Sequence, residues 1–259
     1  MRRGGLKMEA NEVTFRFYAG LNDLLLAGQR RTGIRYRFDV SPAVKDSIEA
    51  LGVPHVEVDL ILVNGLSVGF NHRLRDGDRV AVYPVFTRID VDPTVRLRDA
   101  LVELPTFIAD VHLRRLARLL RLLGFDVLHS NAAGDAELVG LSVSETRVLL
   151  SRDRQLLKHG RLTYGYWVRS TDPVEQAREV VRRFDLSERV RPFSRCSICN
   201  GELRAVDKAA VAEAIPPKTA RWLDTYARCT ACGKLYWRGT HFDRIERLIQ
   251  QILEDPAYA

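Results

Sequence analysis

The sequence predicts an α/β protein in two parts, closed by a metal-binding tail, and three observations carry that prediction. Residues 11–88 are β-rich, with alternating runs on either side of one short helix. From residue 105 short apolar strands alternate with amphipathic helices, the pattern of a three-layer α/β domain around a parallel sheet. Four cysteines then fall in two Cys-x-x-Cys pairs within residues 191–259.

Residues 1–10 read as a disordered basic start. Val13–Tyr18 and Ile34–Phe38 alternate apolar and polar residues and read as strands. Ser41-Pro42 predicts the start of a helix, a serine cap followed by proline at the first helical position. Val44, Ile48 and Leu51 give that helix its apolar face, and Gly52 ends it. Leu60–Val63 runs into Asn64-Gly65, a hairpin turn signal. Asp76-Gly77-Asp78 is a second turn, before a last strand over Arg79–Val85. Residues 89–104 form a charged connector.

The 105–190 domain opens with Phe107-Ile108-Ala109-Asp110, a buried strand ending in a carboxylate. Leu113, Leu116, Ala117, Leu120 and Leu123 repeat with helical period, and Arg114, Arg118 and Arg121 share another face. Gly124 stands where a helix terminator belongs, and Phe125–Leu128 is the next strand. A turn-rich loop, 129–135, leads into a short helix bearing Asp135 and Glu137. Arg147–Leu150 is a third strand, with Asp153 just past its end. Tyr166–Arg169 is a fourth, and Asp172-Pro173-Val174-Glu175 opens a helix with a complete capping box. A carboxyl-end crevice is where open α/β sheets form sites, and two aspartates there, Asp110 and Asp153, can share a divalent cation.

Composition narrows the function. The net charge is +7, and residues 107–195 hold 16 Lys or Arg against 11 Asp or Glu. That excess points to a polyanionic partner such as nucleic acid. No apolar run is long enough to span a membrane and no secretory signal opens the chain, so a cytoplasmic protein is expected. In that compartment paired cysteines argue for metal over disulfides: Cys196, Cys199, Cys229 and Cys232 supply a four-thiolate structural Zn²⁺ site. Tyr236 and Trp237 follow it, available either to stack bases or to pack the ribbon, and residues 244–253 form a last amphipathic helix.

Three motifs carry a resemblance: Phe107–Asp110, Leu116-Ala117-Arg118 through Phe125-Asp126, and Leu149-Leu150-Ser151-Arg152-Asp153-Arg154. They resemble the PIN-like RNase domain named after the C-terminal region of the nematode mutator-seven exonuclease, the mutator-C RNase family. The Tyr236-Trp237-Arg238-Gly239-Thr240-His241 tail resembles it too, so the likeness spans roughly residues 105 to 245. Residues 11 to about 87 resemble the β-grasp sulfur carriers of the ubiquitin superfold, but the chain continues past Val85 without a terminal Gly-Gly. That excludes carrier chemistry and leaves a docking module for a protein, ribosome or RNA partner.

The resemblance implies a metal-dependent ribonuclease in which Asp110, Asp135 and Asp153, with Asp172 as a fourth candidate, gather Mg²⁺ or Mn²⁺. Arg114, Arg118 and Arg152 would hold phosphate, with Trp237 and His241 as further RNA contacts, and single-stranded or tRNA-like RNA as substrate. Here the sequence departs from the family, since Asn131-Ala132-Ala133-Gly134 replaces some of the acids usual before Asp135. The alternative reading is therefore an RNA- or ribosome-associated binding protein that keeps the PIN-like fold without cleavage.

Overall fold

The structure is a computed structural model, and it describes residues 11–84, 96–98, 104–215, 221–239 and 242–254. The basic start, His241 and most of the 89–104 connector lie outside those residues. Among the described residues no helix is long and apolar enough to cross a membrane. The chain divides into two compact units. One is Met1–Ala100 together with Asp153–Gly165, and the other is Leu101–Arg152 with Tyr166–Ala259.

In the first unit, β1 (Asn11–Phe17), β2 (Ile34–Phe38), β3 (Val58–Val63), β4 (Leu66–Ser67) and β5 (Arg79–Pro84) form a mixed sheet in the order β2-β1-β5-β3-β4. The alternation along β1 sends Val13, Phe15 and Phe17 into the core, and the helix α1 (Val44–Ala50) adds Val44 and Ile48. β1 and β5 run parallel while the other pairs are antiparallel, which is the β-grasp arrangement. The Asn64-Gly65 turn forms as expected, with φ of 51° and 87° at its two residues. Ser41 does not cap α1. The helix starts at Val44 after Ala43, and the Ser41 hydroxyl instead donates to the Leu74 carbonyl at 2.7 Å. Pro42 therefore stands outside the helix, and a tertiary hydrogen bond wins over the local cap.

In the second unit β6 (Phe107–Ala109), β7 (Val127–His129), β8 (Val148–Ser151) and β9 (Gly165–Trp167) line up as β7-β6-β8-β9. β6 pairs in parallel with both β7 and β8, Ala109 lying level with His129 on one side and Leu150 on the other. Around this sheet run α2 (Arg114–Leu122), α3 (Asp135–Ser144) and α5 (Pro173–Arg183), while α4 (Arg154–Leu157) follows β8 in the chain. Leu116, Ala117 and Leu120 of α2 are buried, as their spacing requires. Gly124 ends α2 at φ 99°. Its N–H donates to Arg121 and that of Phe125 to Leu120, the paired bonds of a Schellman cap. A Cβ here would collide with the Arg191 carbonyl, so the glycine also admits the chain that leads to the first cysteine pair. The antiparallel strands β10 (Leu203–Val206), β11 (Tyr226–Cys229) and β12 (Leu235–Trp237) form the ribbon, and α6 (Phe242–Leu253) closes the chain.

Candidate metal centre and active site

The cysteines come together as a closed tetrad. All four Sγ atoms lie within 4.8 Å of one another, with Cys196 to Cys232 at 3.7 Å and Cys199 to Cys229 at 3.4 Å. A tetrahedral Zn²⁺ with Zn–S bonds of about 2.3 Å needs S···S separations of about 3.8 Å, so the donor set fits that ion. The knuckles are shaped by backbone turns, Asn200 N to Cys196 O at 2.9 Å and Gly233 N to Cys229 O at 3.1 Å. Gly201 lets the second knuckle approach, since a Cβ there would sit 2.8 Å from Cys229 Sγ. Burial pushes the Cys196 thiol up, but the Tyr236 hydroxyl and the backbone N–H groups of Cys199 and Ile198 outweigh it and bring it to about 6. Cys199 is pushed up to about 12, by burial and by its bonds to the neighbouring sulfurs. Four crowded sulfurs resist carrying several negative charges together, and a divalent cation removes that conflict.

The first knuckle is fastened to the parallel sheet through residues the sequence pattern had assigned elsewhere. Arg121 lies on the arginine face of α2 yet is only 5% exposed. Its Nε donates to Val127 O at 2.9 Å and its Nη1 to Ile198 O at 2.8 Å, joining α2, β7 and the knuckle. Asn200 accepts from Val127 N at 3.0 Å and donates to Asp126 at 2.9 Å. Arg147 and Arg195 reach the same Asp126 carboxylate at 2.7 and 3.2 Å. Burial pushes Asp126 up, but the hydrogen bonds from Arg147 and Asn200 prevail and hold it below the ordinary carboxylate range.

At the carboxyl ends of β6, β7 and β8 the structure brings Asp110, Arg114, His129 and Ser151 into one neighbourhood. Asp110 is 5% exposed, and although it precedes a helical turn its side chain caps nothing. Its Oδ2 accepts from Ser151 Oγ at 2.7 Å, across the β6–β8 pairing, while its backbone N–H donates to Leu150 O at 3.0 Å. Among the described residues no side chain donates to Oδ1. His129, level with Ala109, reaches Val111 O at 3.3 Å. Burial lowers its pKa, and with the charges of Arg121 and Arg114 it outweighs the hydrogen bond to Val111 and the Asp110 charge, which push the other way. The sequence reading passed over His129 and Ser151. Only the register beside Ala109 and Leu150 marks them, and a register between distant strands is not written in either strand.

The other expected residues are placed differently. Asp135 is the first residue of α3, exposed, with Gly134 as the cap; Glu137 is exposed on the same turn. Asp153 is exposed and caps α4, its carboxylate accepting from Gln155 N at 2.7 Å and Leu156 N at 3.4 Å. Asp172 caps α5 in the same way, from Val174 N at 2.9 Å and Glu175 N at 3.0 Å. Among the described residues, the cysteine tetrad is the one group of three or more potential ligands drawn within 4.8 Å, so the carboxylate oxygens do not form a closed cage. Arg114 and Arg118 are exposed on α2. Arg152 instead turns back, its Nη1 donating to the carbonyls of Arg169, at 2.9 Å, and Ser170. Tyr236 packs the ribbon, its hydroxyl 3.0 Å from Cys196 Sγ, whereas Trp237 remains 38% exposed.

A β-grasp module ahead of a parallel α/β domain with a four-cysteine ribbon defines a class of two-part proteins, and comparison with known families makes it specific. The Mut7-C RNAse domain matches residues 105–249 and the Mut7-C ubiquitin domain residues 10–90. The chain belongs to the Mut7-C RNAse domain family, with a ubiquitin-like N-terminal domain. Among solved structures it is similar to H. volcanii small archaeal modifier protein 1, at 23% identity over 29% of this chain and 97% of that one, with a TM-score of 0.24. No curated protein matches the chain.

Proposed function

We propose that this chain is a cytoplasmic, metal-dependent ribonuclease that hydrolyses RNA phosphodiester bonds at the carboxyl ends of its parallel strands. The observation that carries the reading is Asp110. A carboxylate buried at the end of a central strand, oriented by a serine and relieved of any capping duty, has no local structural task to explain it. Asp110, Asp135 and Asp153 would hold Mg²⁺ or Mn²⁺, and we assign Asp172 to its cap alone. Mg²⁺ keeps several waters and takes one or two carboxylates plus substrate phosphate, so it does not need a closed cage of protein ligands. When bound, the ion supplies an activated water and neutralises charge growing on the phosphate.

The chain's own residues supply the rest. Ser151 fixes the Asp110 carboxylate in one rotamer through its hydroxyl. Arg114 and Arg118, cationic and exposed on the helix that follows Asp110, suit two-point contacts to phosphate oxygens. The His129 ring adds a hydrogen-bonding group to the same neighbourhood. Arg152 positions the β9 end of the sheet, and Trp237 offers a stacking face to unpaired bases. RNA that is single-stranded or tRNA-like is the substrate, and the ubiquitin-like domain is available to a protein or ribosome partner. Zn²⁺ in the cysteine tetrad is structural, with all four positions filled by thiolates.

A second reading has an observation of its own: Asp153 and Asp172 both serve as helix caps, which is compatible with an RNA-binding protein that does not cleave. Purified protein incubated with total RNA and tRNA in Mn²⁺, beside Asp110→Asn and Asp153→Asn, separates the two. The nuclease reading expects cleavage by the wild type and loss in both variants, with zinc content and Tm unchanged. Intact RNA in all three, with equal salt-sensitive retention, would leave the binding protein.

A further inference from the structure

The segment between β8 and β9 carries Asp153 at its head, yet Asp153–Gly165 belongs to the same compact unit as the ubiquitin-like residues. Its attachments run along its whole length. Arg154 Nη1 donates to Leu24 O at 2.8 Å, and Lys158 Nζ donates to Glu49 O in the last turn of α1 at 2.6 Å. His55, 4% exposed, sits between Glu49 Oε1 at 2.6 Å and Leu162 O at 2.9 Å.

Arg98 completes the attachment. Its guanidinium donates to the carbonyls of His55 at 3.0 Å, Val56 at 3.1 Å, Val58 and Thr163, with Asp59 4.0 Å away and both side chains buried. One cation thus ties the strand-leading turn of the ubiquitin-like fold to the end of the Asp153 segment. Gly165 allows a close approach here, because a Cβ would stand 3.0 Å from both Val56 Cγ2 and Leu157 Cδ2. A four-residue helix has no independent stability, and α4 is one. Without outside support the loop holding Asp153 would not keep one conformation.

We propose that the ubiquitin-like domain, through His55 and the α1 C-terminus, together with Arg98 of the connector, clamps the 153–165 segment and thereby positions Asp153. This rests on the ribonuclease reading for the role of Asp153, but not for the clamp itself. The domain then serves as a structural part of the nuclease, in addition to any docking role.

The test uses the full chain. Arg154→Met with Lys158→Met cuts two attachments from the segment side without emptying a buried site, and Arg98→Ala cuts the central one. Hydrogen exchange is read at the amides of residues 156–162 and, as an internal reference, at β6 and β8. The clamp expects exchange at 156–162 to quicken by about tenfold or more while the reference amides and zinc content hold. Positioning expects RNA cleavage to require several-fold more Mn²⁺ in the same variants, with RNA affinity unchanged. Unchanged exchange in the double variant would overturn the clamp. Faster exchange with unchanged Mn²⁺ dependence would overturn the positioning of Asp153. If the wild type cleaves no RNA, the nuclease reading fails by itself, and the exchange arm still decides whether the ubiquitin-like domain holds the segment.

Discussion

The thiolates and the carboxylates of this chain began as comparable sets of candidate ligands, and the fold treats them differently. Four sulfurs converge within 4.8 Å, each pair on a tight backbone turn. Of the aspartates, Asp110 is buried and oriented by a neighbour, Asp135 opens a helix, and Asp153 and Asp172 satisfy helix N–H groups. The difference is one of chemistry. A thiol cluster has little use besides metal, so its pattern alone is diagnostic. An aspartate after a strand and before a helix is equally useful as a cap, and only its hydrogen bonds tell the two roles apart.

The largest expected effect lies on the thiolate side. Apparent binding free energies for structural zinc are on the order of 10 kcal/mol or more. Chelation, or Cys229→Ser, should therefore unfold the ribbon. Through Arg121–Ile198 and Asn200–Asp126 it should also lower the melting temperature of the parallel α/β sheet, monitored by near-UV circular dichroism. A sheet signal that melts unchanged after zinc loss would mean the knuckle contacts contribute nothing.

Asp110→Asn comes next. It should reduce cleavage beyond the roughly 100-fold that loss of an outer partner can reach, whereas Ser151→Ala, which removes that partner, should cost about tenfold to a hundredfold. Rates measured against Mn²⁺ concentration check the order. If the serine variant is the worse of the two, Asp110 is not the central ligand.

Asp126 sharpens the comparison from a purely structural carboxylate. Its pKa is depressed in the folded protein, so its pairing stabilises the fold fully above the unfolded carboxylate pKa of about 4 and is lost as pH falls toward the depressed value. Asp126→Asn should lose about 2 kcal/mol at pH 7. The gap to wild type should narrow in urea titrations repeated at successively lower pH below about 4.

The smallest effect separates the two roles at Asp172. Asp172→Ala should lower stability by about 1 kcal/mol, the worth of a cap, and leave the rate of cleavage per folded molecule unchanged. A large fall in rate at unchanged stability would return Asp172 to the metal site.

Much of the architecture could be read from the chain because it is set by near neighbours. The period of Leu116, Ala117 and Leu120, the glycine at 124 and the Asn64-Gly65 turn each act within a few residues, and each appears in the structure where its pattern put it. The cysteine pairs are local too, and a thiolate tetrad needs only that two such turns meet. Local reasoning failed where a distant group competed for the same atoms. Ser41 looked like a cap and bonds Leu74 instead. Arg121 shares a helix face with the exposed Arg114 and Arg118, yet it is buried and bonded to the knuckle. Arg98 lay in a stretch read as a connector and binds four backbone carbonyls.

By itself, then, the sequence determined the family, the two-part α/β organisation and the four cysteines that converge, since these rest on periodicity, turn chemistry and motif spacing. Tertiary structure alone decided which aspartate is held ready and which ones cap helices. It also decided that His129 and Ser151 flank Asp110, and that the Asp153 segment is tied to the ubiquitin-like fold. The physical reason is common to all three: strand register and long-range hydrogen bonds depend on which distant carbonyl or hydroxyl arrives, and no neighbouring residue records that arrival.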